Sequence, residues 1–302
     1  MAKLLRLSVS PHIHSGRSTA GIMRDVIIAL MPAVIAGTII FGLRALLVVA
    51  VCVASCVLLE AVFNIIMKKE QTVGDFSAAL TGLLLALNLP AGIPIWQCVV
   101  GSAFAIIIVK CLFGGIGCNI VNPAITARVM MLVSFSGAMT KFIEPVSDAV
   151  CSATPLVSTE AVSAKNLFFG MHSGCIGETS SFLLLVGGIY LVIRRVISPV
   201  IPVCFIGTVA ILSLISGESL AVSVFGGGLM LGAIFMATDY TTTPTTTLGK
   251  AVFGLGCGLF TFLIRQFGSL PEGVSYSILI MNILVPYIDK LTLRKPFGYI
   301  KQ

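Results

Sequence analysis

Charge is what this chain has least of. Asp, Glu, Lys and Arg make up 10% of its 302 residues, where a soluble domain carries roughly a quarter. With 57% hydrophobic residues and a mean hydropathy of +1.07, it has too few polar groups to cover a globule in water and must sit in lipid. Histidine is limited to three residues and tryptophan to Trp96. The nine cysteines include no Cys-x-x-Cys pair and no ferredoxin-type spacing, which argues against a metal or iron–sulfur centre. Cys52 and Cys56 share a helix face inside an apolar run and read as buried thiols; Cys118, after a glycine run, stands apart. No Walker loop, metalloprotease motif or Ser-His-Asp order is present. Gly254-x-Gly256-x-Gly258 lies within an apolar span with no strand before it, so it reads as close helix packing and not as a nucleotide loop. The polar, basic opening lacks the apolar core and cleavage site of a signal peptide. The net charge of +7 is scattered between apolar runs, which gives no nucleic-acid surface.

What the sequence does have is hydrophobic stretches, and a membrane helix needs about 20 mostly apolar residues. Ten are legible: Asp25–Gly42 (with Pro32 as a kink), Leu46–Met67, Phe76–Leu89, Ile95–Phe113, Ala124–Phe135, Thr179–Ile193, Val200–Ser216, Leu220–Ala237, Val252–Phe267 and Val274–Ile288. The expected fold is an all-α polytopic membrane protein of about ten transmembrane segments. Five precede a long polar interval and five follow it, and an odd number per half makes the repeat inverted. The third segment of each half is the irregular one. Phe76–Leu89 is short and ends in Asn-Leu-Pro, and Leu220–Ala237 is broken by Gly226, Gly227 and Gly228. Paired short or glycine-broken segments point to a site near the membrane midplane. The divisions are a basic leader (1–22), a first repeat (23–137), a loop (138–178), a second repeat (179–289) and a basic tail (290–302).

Orientation follows from lysine and arginine, which gather on the cytoplasmic side. With the N-terminus inside, fourteen face the cytoplasm, Lys110 among them. Four face outward: Arg44, Lys141, Lys165 and Arg265. Arg128, near a segment start, stays unassigned. Both termini are therefore cytoplasmic and the 138–178 loop lies outside.

Polar residues inside the apolar sequence are expensive to bury and so informative. Asp239 ends the glycine-broken segment before a threonine-rich loop; it marks an ion or flavin path, or a polar turn bonded by hydroxyls. Asn88 at the end of Phe76–Leu89 belongs to the same candidate path. So do Asn119 and Asn122, where Gly114-Gly-Ile-Gly117 suggests a broken helix and Asn122-Pro123 a new helix start. Glu60, late in its span, reads as an interface residue or part of an ion path. Glu178 and Glu272 sit before segments, where helix capping accounts for them. His12 and His14 share one side of an extended leader, and His172 lies in the long loop.

That loop contains Asp148-Ala-Val-Cys-Ser-Ala-Thr154-Pro-Leu156. Pro155 biases Thr154 toward extended backbone, leaving its hydroxyl free of a helix. From the residues alone this is either a solvated turn or a functional loop. The pattern Asp148-x-x-x-Ser152-Ala153-Thr154-Pro-Leu resembles the acceptor site of flavin transferases. Further stretches resemble the D component of Rnf electron-transport complexes, a family shared with the B component of the sodium-pumping NADH:quinone reductase. They are Ser10-Pro-His-Ile-His-Ser-Gly-Arg-Ser18, Gly82–Pro90, Gly114–Pro123, Gly228–Asp239 and Leu270-Pro-Glu-Gly-Val274. Cys151 departs from the acceptor pattern, which usually has Ser or Thr there.

The resemblance implies FMN joined by a phosphodiester to Thr154, with Asp148, Ser152 and Ala153 as its acceptor motif. It leaves open a second, non-covalent riboflavin. It implies a prokaryotic inner-membrane complex with subunits A, B, C, E and G that passes electrons between ferredoxin and NAD and moves Na+ or H+. A flavin transferase would mature the chain. The chain itself would relay electrons without independent catalysis. The alternatives are the quinone-reductase counterpart, with its longer N-terminal extension, and a non-redox inverted-repeat channel, which has no need of the Asp148–Thr154 motif.

Overall fold

A computed structural model of the protein describes residues 18–143, 150–151, 164–170, 172–178, 180–268 and 273–293. They are almost entirely helical. Four helices are long and apolar enough to cross a membrane: α1 (Thr19–Phe41), α2 (Leu43–Ile66), α12 (Thr247–Phe267) and α13 (Val274–Thr292). Five shorter apolar helices lie between them: α3 (Ser77–Leu87), α4 (Ile95–Cys111), α5 (Pro123–Ser134), α8 (Ser181–Ile193) and α9 (Val200–Ile215). The multi-pass membrane protein expected from composition is borne out at this level.

Local signals set the boundaries. The Ser18 hydroxyl accepts from the Gly21 amide at 3.1 Å to start α1, and Thr246 does the same from Gly249 at 3.0 Å for α12. Asn122 accepts from Ala124 and Ile125 at 3.0 and 3.3 Å, with Pro123 at the first helical position, where its missing N–H costs nothing. Pro32 lies inside α1 without ending it. The third apolar segment of the second half is two pieces, as its glycines suggest. α10 (Leu220–Phe225) stops at Gly226. α11 begins after Gly228 with Leu229–Leu231 and runs on through a π turn, Gly232–Met236.

The 136–178 interval carries a short helix, α6 (Ser136–Met139), and two two-residue strands, β1 (Phe142–Ile143) and β2 (Val150–Cys151), paired antiparallel with Phe142 opposite Cys151. A further helix, α7 (Ala164–Phe169), and a single turn, Ile176–Glu178, follow.

Packing rests on close backbone approach, because lipid offers no hydrophobic drive between helices. A Cβ on Gly82 of α3 would lie 2.7 Å from the Cys52 carbonyl oxygen of α2, and one on Gly254 of α12 2.8 Å from Cys204 of α9. The Gly254-x-Gly256-x-Gly258 run is thus a packing stripe against α9 and Met281. Cys52 and Cys56 are free, buried thiols, as expected. Trp96 is half exposed and stacks edge-on against Phe135 at 5.2 Å.

Candidate functional site: the junction of the broken helices

The ends of α3 and α11 meet inside the protein. The Asn88 amide, just past α3, donates to the Leu84 carbonyl at 2.6 Å and reaches Met236 Sδ at 3.3 Å. The Asn122 amide, at the start of α5, donates to the Met236 carbonyl at 3.2 Å. Two of the candidate path residues therefore converge on one residue of α11, although they are 34 positions apart in the sequence. A π turn leaves backbone carbonyls off the regular ladder, which is why a side-chain amide can find Met236.

Next to this junction lies a cavity of about 80 Å3 between α1, α3, α5 and α11. Its polar wall comprises Ser77, Thr81, Lys110, Asn119, Asn122, Asp239 and Thr241. Asn119 Oδ1 is buried there with no hydrogen-bond partner among the described residues. Asp239 is half buried and accepts from the Thr241 and Thr242 hydroxyls at 3.1 and 3.4 Å. Burial pushes its carboxyl pKa up, and these bonds oppose the shift. Asp239 is thus bonded by loop hydroxyls and also lines the cavity. The space suits a few waters or an ion. Ligand pockets run from roughly 300 Å3 upward, so a second flavin ring would need these walls to move apart.

Two buried ion pairs flank the site. Lys110, 2% exposed, places Nζ 2.8 Å from Glu60 Oε1 and 2.6 Å from the Ser77 hydroxyl. Thr72 donates to the same carboxylate oxygen at 2.7 Å. Lys110, counted above only as a topology signal, is a buried ion-pair partner, and the burial of Glu60 corrects its reading as an interface residue. A carboxylate and an ammonium in apolar surroundings tolerate burial only as partners. The second pair, Arg128 Nη2 to Glu178 Oε1 at 3.4 Å, is equally buried. Arg128 Nη1 also donates to Asn88 Oδ1 at 2.5 Å. Glu178 therefore does not cap α8, whose N-cap is Ser180. Glu272 lies outside the described residues. Arg265, counted above among the outward-facing residues, is on the last turn of α12 and donates to the carbonyls of Ser223 and Gly226 at 2.6 and 3.2 Å, satisfying the broken end of α10.

Thr154, Asp148, Ser152 and Ala153 lie outside the described residues, as do His12 and His14. His172 is buried, with neither ring nitrogen hydrogen-bonded among the described residues, and burial holds its pKa below the usual value. No group of His, Cys, Asp and Glu able to hold a metal occurs among the described residues.

A family model described as "NQR2, RnfD, RnfE family" matches residues 6–298. The chain belongs to this family. Among its relatives is the D component of the "Na(+)-translocating ferredoxin:NAD(+) oxidoreductase complex" of Acetobacterium woodii, 48% identical over 98% of this chain and 96% of that one. The D component of the "Proton-translocating ferredoxin:NAD(+) oxidoreductase complex" of Clostridium ljungdahlii is 40% identical over the same shares. The D component of the "Ion-translocating oxidoreductase complex" of Actinobacillus succinogenes is 33% identical over 98% of each chain. The family membership expected from the sequence motifs is borne out over nearly the full length.

Proposed function

We propose that this chain is the membrane flavoprotein subunit of an Rnf-type complex. In that role it relays electrons between ferredoxin and NAD within an oxidoreductase that moves Na+ or H+. The observation that carries this is the end-to-end similarity to the D components of two named ferredoxin:NAD+ oxidoreductases. The Asp148…Ser152-Ala153-Thr154 motif favours FMN esterified to Thr154 over a passive channel. A bound flavin supplies one- and two-electron redox chemistry, and the protein supplies attachment, orientation and electrostatics. The other subunits would deliver and remove the electrons, and a flavin transferase would load the cofactor.

The ten-segment inverted repeat is part of this reading, with α1–α5 matching α8, α9, α10–α11, α12 and α13. A parallel in the contacts supports it. In the first half, a cation at the end of the fourth helix (Lys110) meets an acid late in the second (Glu60) and the start of the third (Ser77). In the second half, the end of α12 does the same. Arg265 bonds the third segment, and Gln266 donates to Glu218, just past α9, at 2.9 Å. Both termini face the cytoplasm in this reading. Setting aside the buried Lys110 and the docked Arg265, the basic count is still thirteen against three. The cavity holding Asn119, Asn122 and Asp239 then opens toward the cytoplasm and serves as the inner part of the ion path.

Membranes from a strain lacking this chain test the function. Wild-type chain should restore ferredoxin-dependent NAD reduction with ion uptake, whereas Thr154→Ala should not. Full activity without the chain would reject the reading.

A further inference from the structure

The inner end of the 138–178 loop does not stay at the protein surface. Its last turn, Ile176–Glu178, is buried against both broken helices. The Ile176 amide donates to the Leu89 carbonyl at 3.1 Å, just beyond α3. A Cβ on Gly177 would stand 2.7 Å from Leu87 Cβ, so only glycine permits this approach. Glu178 reaches the other broken helix: its Oε1 lies 2.8 Å from where a Cβ on Gly228 would be, at the residue that precedes α11. Gly228 has φ +67°, which other residues rarely adopt, and a side chain there would displace the carboxylate.

One group holds this turn in place electrostatically. The guanidinium of Arg128 on α5 contacts Glu178 Oε1 and Cys175 Sγ on the loop, and Asn88 Oδ1 at the end of α3. Glu178 Oε2 in turn accepts from the Cys175 amide at 3.4 Å. Withdrawing the turn would take the buried Glu178 carboxylate away from the guanidinium beside it, so a graded slide is disfavoured and the contact is either made or broken.

We propose that the Arg128–Glu178 pair is a positioning contact. It locks the inner end of the loop against the junction of α3 and α11, and so ties events on the loop to ion passage between the broken helices. The proposal rests on the reading of the loop as flavin carrier and of the junction as ion path, and assigns to Arg128 and Glu178 the link between them. It predicts that losing the pair separates electron flow from ion movement without stopping electron flow.

The test uses the purified whole complex in proteoliposomes. Three quantities are read: covalent flavin fluorescence on a denaturing gel, ferredoxin-dependent NAD reduction, and Na+ and H+ uptake per NADH formed. Glu178→Gln is expected to keep the fluorescent band and to keep reducing NAD. Its ion uptake per NADH should fall roughly tenfold, the scale of a typical coupling energy, and an ionophore should no longer accelerate turnover. The exchanged pair Arg128→Glu/Glu178→Arg is expected to regain part of that ratio, whereas a merely structural role predicts that Glu178→Gln lowers NAD reduction and ion uptake together and leaves their ratio unchanged. Unchanged uptake per NADH in Glu178→Gln overturns the proposal. Should Glu178→Gln fail to assemble, the exchanged pair decides: coupled turnover supports the contact, and failure to assemble overturns it. Absence of fluorescence from the wild-type chain would instead reject the flavin reading, so the two failures are told apart.

Discussion

Replacing Lys110 with methionine removes one half of a fully buried ion pair. The Glu60 carboxylate would lose the ammonium 2.8 Å away, and its Oε2 already has no hydrogen-bond partner among the described residues. At that distance and an effective dielectric near 20 the attraction is about 6 kcal/mol, an upper bound because desolvation of both ions opposes it. Breaking one side of a buried pair costs roughly 3–5 kcal/mol. The start of α3 suffers as well, since the Ser77 hydroxyl loses its 2.6 Å contact. For a chain of this size the expected drop in Tm is on the order of 10 °C. Removing both charges, Lys110→Met with Glu60→Leu, should recover most of it, because two apolar side chains of similar volume need no mutual compensation. With the other cysteines replaced, a thiol-reactive fluorophore reads this directly, because Cys56 and Cys111 are buried in one cluster beside the pair and become reactive on unfolding. If the double variant melts as early as Lys110→Met, the instability does not come from a stranded charge and the reasoning fails.

Asp239→Asn tests the raised carboxyl. A folded pKa above the unfolded value near 3.8 means the native state holds the proton more tightly, so stability is greatest below that value and falls as pH rises through the folded pKa. The Tm advantage of Asp239→Asn over the parent should therefore grow as the pH is raised above about 4, and a constant difference would contradict the shift. Gly177→Ala should destabilise by about 1–3 kcal/mol through overpacking against Leu87; a neutral effect in thermal unfolding would mean the turn has room to yield. In a cysteine-free background, Lys141→Cys should react with an impermeant maleimide in intact cells and Lys69→Cys should not. The reverse pattern would invert the orientation.

Much of this architecture is readable in the residues, because apolar length and glycine breaks are local features. The short third segments, the Asn122-Pro123 start and the packing role of Gly254 to Gly258 follow from neighbours in sequence. The buried pairs do not. Glu60 and Lys110 are 50 positions apart, as are Arg128 and Glu178. Each looks from the sequence like an interface charge, a topology signal or a cap. The available signal was that an ionisable residue within an apolar stretch needs a partner. Arg128, unassigned to either side of the membrane, gives that signal most clearly. Choosing the partner required knowing that the end of the long loop turns inward, and nothing in its local sequence says so.

The flavin on Thr154 is the claim from which the electron-relay role follows, and one peptide decides it. Trypsin cleaves after Lys141 and Lys165 with no basic residue between them, so Thr154 and Thr159 fall in a single fragment, 142–165. The chain should be purified from cells that express the flavin transferase and that fragment analysed by tandem mass spectrometry. The account predicts the mass of FMN less one water, assigned by fragment ions to Thr154. An unmodified fragment, or the adduct on Thr159, would contradict it.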